Sequence, residues 1–91
     1  MVAAVVLIRA VPGDLPALAR RLAGIEGVAE VYSVSGEYDL VAVVRVAEYD
    51  QVAQVVTEEI AQVSGIERTN TLTAFRVYSK QDLERAWDMF G

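Results

Sequence analysis

The sequence contains neither cysteine nor histidine. The first absence excludes disulfides, thiolate zinc sites and a cysteine nucleophile. The second removes the usual general base and the commonest metal ligand. No apolar run reaches the roughly 20 residues of a membrane-spanning helix. The apolar start from Met1 to Val11 lacks the basic lead and small-residue cleavage site of a secretory signal. A cytoplasmic chain without a membrane span is therefore expected. There is no glycine-rich phosphate loop, and no spacing suggests a carboxylate metal site or a nucleophile–base pair. Positive charge is also scarce. Eight basic residues (Arg9, Arg20, Arg21, Arg45, Arg68, Arg76, Lys80, Arg85) stand against thirteen acidic ones, for a net charge of −5. Only Arg20 and Arg21 are adjacent. Neutralising phosphates requires a clustered positive face, so direct nucleic-acid binding by this chain is not expected.

What is present is apolar and periodic. Ninety-one residues suffice for one domain, and 54% of them are hydrophobic. That exceeds what one small core needs, so part of the apolar surface is expected in a subunit interface. Val2 to Val11 is a nearly unbroken apolar run rich in β-branched residues and reads as a strand buried on both faces. Pro12-Gly13 ends it. Asp14 is a good N-cap and Pro16 fits a first helical turn. Leu15, Leu18, Ala19 and Leu22 then mark one helical stripe, with Gly24 or Gly27 closing it. Val28 to Val34 reads as a second, more polar strand, and Leu40 to Val46 as a third that is almost wholly apolar. Tyr49, Val52, Val56, Ile60 and Val63 form the stripe of a second helix, ended by Ser64-Gly65. Thr71 to Tyr78 alternates and reads as a fourth strand. Leu83, Ala86, Trp87 and Phe90 predict one face of a short C-terminal helix.

This order is βαββαβ: an α+β, ferredoxin-like fold, a four-stranded antiparallel sheet with both helices on one face. Right-handed crossovers place the first and third strands at the centre and the second and fourth at the edges. The apolar runs agree, since the two continuous ones are those predicted central. The sheet face without helices would be bare in a monomer and is expected to pack on another subunit. The expected division is a domain over residues 1–78 and a helical tail over 79–91.

Between the second and third strands lies the corner Ser35-Gly36-Glu37-Tyr38-Asp39. Gly36 supplies the positive φ that a tight reversal needs. Gly36-Glu37-Tyr38-Asp39-Leu40 resembles the G-x-Y-D corner of the effector-binding domain of Lrp/AsnC-type (feast/famine) transcriptional regulators. Gly65 to Thr71 (GIERTNT) resembles the same family's G-V-x-x-T-x-T segment. The resemblance runs from Val2 to Tyr78, with no helix-turn-helix segment ahead of it in this sequence, so the chain is similar to a stand-alone effector (RAM) domain. It implies a homo-oligomer in which sheet-packed dimers close into octamers or decamers, with full-length family regulators as further candidate partners. It also implies an amino-acid effector at the junction between dimers, and no cofactor.

An amino acid presents an ammonium that needs acceptors and a carboxylate that needs donors. On the resemblance, Asp39 is the first ammonium acceptor and Glu37 the second. Backbone N–H groups of Gly36 to Tyr38, with Thr69, Asn70 and Thr71, are expected to hold the carboxylate, and Tyr38 to wall the pocket. Plainer roles stand beside these. Gly36 serves turn geometry, Asp39 can bond the turn's own backbone, Glu37 can be a solvated charge, Tyr38 an interface aromatic, and Thr69 and Thr71 ordinary strand residues. Two other functions remain open: a small dimeric α+β-barrel enzyme of monooxygenase or isomerase type, since the fold hosts both, and an oligomerisation adaptor without a ligand.

Overall fold

A computed structural model describes residues 1–80 of the chain; the C-terminal helix expected around Leu83, Ala86, Trp87 and Phe90 lies outside the described residues. The elements are β1 (Val2–Ala10), α1 (Leu15–Ala23), β2 (Val28–Ser33), β3 (Leu40–Val46), α2 (Tyr49–Gln54) and β4 (Ile66–Thr73). Between α2 and β4 the helix continues as a wider π-type turn over Val55–Glu59 and closes in a 3-10 turn over Ile60–Gln62. The four strands form one antiparallel sheet in the order β2-β3-β1-β4. The ferredoxin-like arrangement is thus the observed one, with the two apolar runs at the centre.

Local chemistry explains most boundaries. The Asp14 carboxylate caps α1 by accepting from the Ala17 N–H at 3.1 Å, and a proline sits in the first turn. Gly24 ends α1 in a right-handed conformation, so the positive φ at Gly27 belongs to the turn into β2. Helix α2 begins in a capping box between Glu48 and Gln51, whose side chain accepts from the Glu48 N–H at 2.7 Å.

Alternation along the central strands makes the core. Ala4, Val6 and Ile8 of β1 pair directly with Val44, Ala42 and Leu40 of β3, and all six are fully buried beneath the helices. Leu18 and Leu22 of α1, then Val52, Val55 and Ile60, close this layer from above. Two sequence expectations shift here. The second stripe was expected at Tyr49, Val52, Val56, Ile60 and Val63; the buried residues are Val52, Val55 and Ile60, Val56 and Val63 pack partly buried against them, and Tyr49 is exposed. The π turn carries the chain five residues between core positions, so Val55 and Ile60 share a face that a regular α-helix would rotate apart.

The fourth strand covers Ile66–Thr73 rather than Thr71 to Tyr78. Its partner explains why. β1 starts at Val2, and the last cross-strand bond runs from the Ala74 N–H to the Ala3 carbonyl at 2.9 Å. Beyond that point no strand is left to pair with, and Phe75, Val77 and Tyr78 are exposed despite their alternation.

Among the described residues, no helix covers the opposite sheet face. Val5 pairs with Val43 and Leu7 with Val41 across the centre, and Ala3 continues this row beside Arg45. Leu72 of β4 and Tyr32 of β2 flank them, at 53% and 49% exposure. An apolar face left to solvent in this way is a surface that another chain can cover. At its margin Arg45 pairs with Glu30 at 3.6 Å. The Tyr32 phenol is raised above its usual 10.0, first by its hydrogen bond to the Glu30 carboxylate, then by desolvation and that carboxylate's charge, against Arg45.

Candidate functional site

The corner between β2 and β3 sits at one end of the sheet, beside the last residues of β1. Gly36 has φ +112, and a Cβ there would meet nothing within 4 Å. The glycine is required by backbone conformation, not by crowding. The hairpin closes through the Val34 N–H, which donates to the Asp39 carbonyl at 3.1 Å.

Asp39 is built into the fold. Its N–H donates to the Ile8 carbonyl at 2.9 Å, and its Oδ2 accepts from the Ala10 N–H at 2.8 Å. The β1–β3 register ends at Ile8↔Leu40, and the β1–β4 register shifts between Arg9 and Ala10. The carboxylate therefore supplies an acceptor where the ladder on that side has run out. This differs from a bond to the turn's own backbone: Asp39 ties the corner to the neighbouring strand. Its other oxygen takes no hydrogen bond from a described residue.

Glu37 and Tyr38 meet two arginines that the linear pattern did not single out. Arg9 and Arg68 are direct cross-strand partners on the open face. The Arg9 Nη2 donates to the Glu37 carbonyl at 2.6 Å. The Arg68 Nη2 lies 3.7 Å from the Glu37 carboxylate, and the Arg68 guanidinium carbon is 5.9 Å from the Tyr38 ring centroid. The signal was a lone arginine inside each strand segment, but their meeting depends on register.

The β4 candidates do not converge on one face. Asn70 pairs with Leu7 on the open side, two residues from Arg68. Thr69 and Thr71 pair with the buried Ile8 and Val6, so they lie on the helix side of the sheet edge. Glu37 and Tyr38 thus meet Arg9 and Arg68 at one end of the open face; Asn70 shares that face on β4, and the two threonines lie on the other.

Clefts lined by other described residues lie elsewhere. One of about 620 Å³ lies at the far end of the sheet, among Glu26, Gly27, Arg45, Gln51, Gln54 and Glu59. A smaller one, about 100 Å³, lies between the end of β1 and the start of α1. Glu37, Tyr38, Asp39 and Asn70 line neither. No cluster of metal-ligating side chains occurs among the described residues, and no described helix is long and apolar enough to cross a membrane.

Comparison with known proteins gives the family. A Thermus thermophilus protein of known crystal structure is 48% identical, with a TM-score of 0.81 over 88% of this chain and 100% of that one. An HTH-type transcriptional regulator of Pyrococcus furiosus is 36% identical over 58 residues, 64% of this chain and 39% of the regulator, so the match spans well under half of that protein. A transcriptional regulator of Neisseria meningitidis, solved as a complex with L-Met, shares the fold at 12% identity, with a TM-score of 0.70 over 86% of this chain and 52% of that one. The family model of the Lrp/AsnC ligand binding domain matches residues 3–83. Matched over nearly its whole length, this chain belongs to the Lrp/AsnC ligand-binding-domain family.

Proposed function

We propose that the chain is an amino-acid-sensing regulatory domain whose effector binds at the Gly36–Asp39 corner where neighbouring subunits meet. The family is one of transcriptional regulators, which sets aside the α+β-barrel enzyme. The observation that carries the reading is the position of the corner. Glu37, Tyr38 and Asp39 lie at the end of a sheet face that no described helix covers, with Asn70 farther along the same face on β4. Neither cleft described above includes these residues, and a small ligand needs an enclosed space. A second chain on the open face, and a further dimer against the rim, would supply the missing wall. Asp39, with one oxygen held by Ala10 and the other turned to no described donor, suits an ammonium. The complex of the Neisseria relative with L-Met supports an amino-acid ligand.

Sheet-packed dimers then assemble into octamers or decamers, and the effector shifts assembly by binding one state more tightly than another. With a net charge of −5, the domain acts on transcription through other proteins, full-length family regulators among them. Native mass spectrometry, alone and with a panel of amino acids, tests this. A ring of dimers whose mass or stability responds to one amino acid is expected. A plain dimer indifferent to all of them would leave an oligomerisation adaptor in its place.

A further inference from the structure

We propose that Arg9 and Arg68 form a carboxylate-binding pair, and that Glu37 occupies it as a displaceable internal anion. The inference deepens the effector-site reading and rests on it for the ligand's identity. Arg9 and Arg68 stand directly opposite each other on adjacent strands, on one face. Like charges in that position repel, and an anion between them removes the conflict. Residue 37 meets both arginines, with its charge directed at Arg68 and its neutral carbonyl at Arg9. Its carbonyl accepts from Arg9 at 2.6 Å, and its carboxylate lies 3.7 Å from Arg68.

The second contact is easily replaced. At 3.7 Å it is long for a charged hydrogen bond, and the two side chains are 56% and 69% exposed, so the pair is weak. A free carboxylate can approach a guanidinium with two parallel bonds, which the corner-tethered Glu37 does not achieve. The Tyr38 ring, 5.9 Å from the Arg68 guanidinium carbon, steadies that group when Glu37 leaves. No atom lies within 4 Å of where a Cβ at Gly36 would stand, so nothing packs against the corner at that point. The site then has two poles: the arginines for a carboxylate and Asp39 for an ammonium, the pattern of an α-amino acid.

The test follows the arginine side-chain N–H signals by nuclear magnetic resonance at constant ionic strength. Sodium acetate and L-methionine are titrated separately into the wild-type protein, Glu37→Gln and Arg68→Gln. Acetate should shift the Arg9 and Arg68 signals saturably. In Glu37→Gln it should do so at about a threefold lower concentration, because a weak competitor has gone. In Arg68→Gln, acetate affinity should fall about tenfold or more. Arg9 and Arg68 signals that follow acetate no more than those of Arg20 and Arg21 would overturn the proposal, as would unchanged or weaker acetate binding in Glu37→Gln. The two readings fail separately. L-Methionine binding that Arg68→Gln leaves intact removes the arginine pair and keeps the sensor. Acetate binding as expected, with no amino acid bound more tightly than acetate, keeps the pair and removes the sensor.

Discussion

Asp39 carries two demands that the linear motif does not separate. Its Oδ2 satisfies the Ala10 N–H at the end of the β1–β3 ladder, and its charge is the proposed ammonium acceptor. Asp39→Ala leaves a half-buried donor unpaired and should cost about 1–3 kcal/mol in urea unfolding. Asp39→Asn keeps an acceptor oxygen and loses the charge, so it should cost less than about 1 kcal/mol. Both should lose amino-acid binding by calorimetry; binding retained in Asp39→Asn would remove the charge from the site. The motif G-x-Y-D was legible because its residues are contiguous. The arginines beside it were not, because Arg9 and Arg68 are 59 residues apart in the chain and meet only through the β1–β4 register.

At the scale of elements, the turn into β2 and the π turn after α2 constrain each other. Gly27 has φ +99, and a Cβ there would lie 2.7 Å from Cγ2 of Val55. Val55 is a β-branched residue with little rotamer freedom, at the start of the widened turn. Gly27→Ala therefore combines backbone strain with overpacking and should cost about 1–3 kcal/mol. Gly36→Ala meets strain alone, with nothing within 4 Å of its Cβ, and should cost about 1 kcal/mol. Thermal unfolding of the two variants should rank them in that order; equal losses would show that Val55 yields. The central strands were readable from composition, and β3 occupies the expected Leu40–Val46. The π turn was not readable, since a helical stripe assumes a constant 3.6-residue period and the core imposed a five-residue step.

At the scale of the molecule, the decisive feature is an apolar sheet face that no described helix covers. Val5, Leu7, Val41 and Val43 are only partly buried in the single chain, and covering them would remove further apolar area from water and stabilise a domain of this size. Val43→Asp places a charge at the centre of that face, opposite Val5, without touching the helix-side core. Multi-angle light scattering should show a smaller assembly, with far-ultraviolet circular dichroism unchanged. An unchanged mass would mean that subunits associate through another surface. Because the proposed effector site lies at the rim of this face, the same variant should also lose amino-acid binding.

The order of elements, the central position of β1 and β3, the caps of α1, the glycine at the corner and the expectation of an uncovered face were legible in the linear chain. These follow from periods of 2 and 3.6 residues, local capping and backbone freedom, all set by residues close together in the chain. The folded arrangement was needed to see where β4 stops, that Thr69 and Thr71 lie on the far side of the sheet from Asn70, and that Asp39 accepts from Ala10. It also decided that two isolated arginines converge on Glu37. Each of these depends on strand register, in which a shift of one residue exchanges the faces. That register is set by pairing between segments distant in sequence.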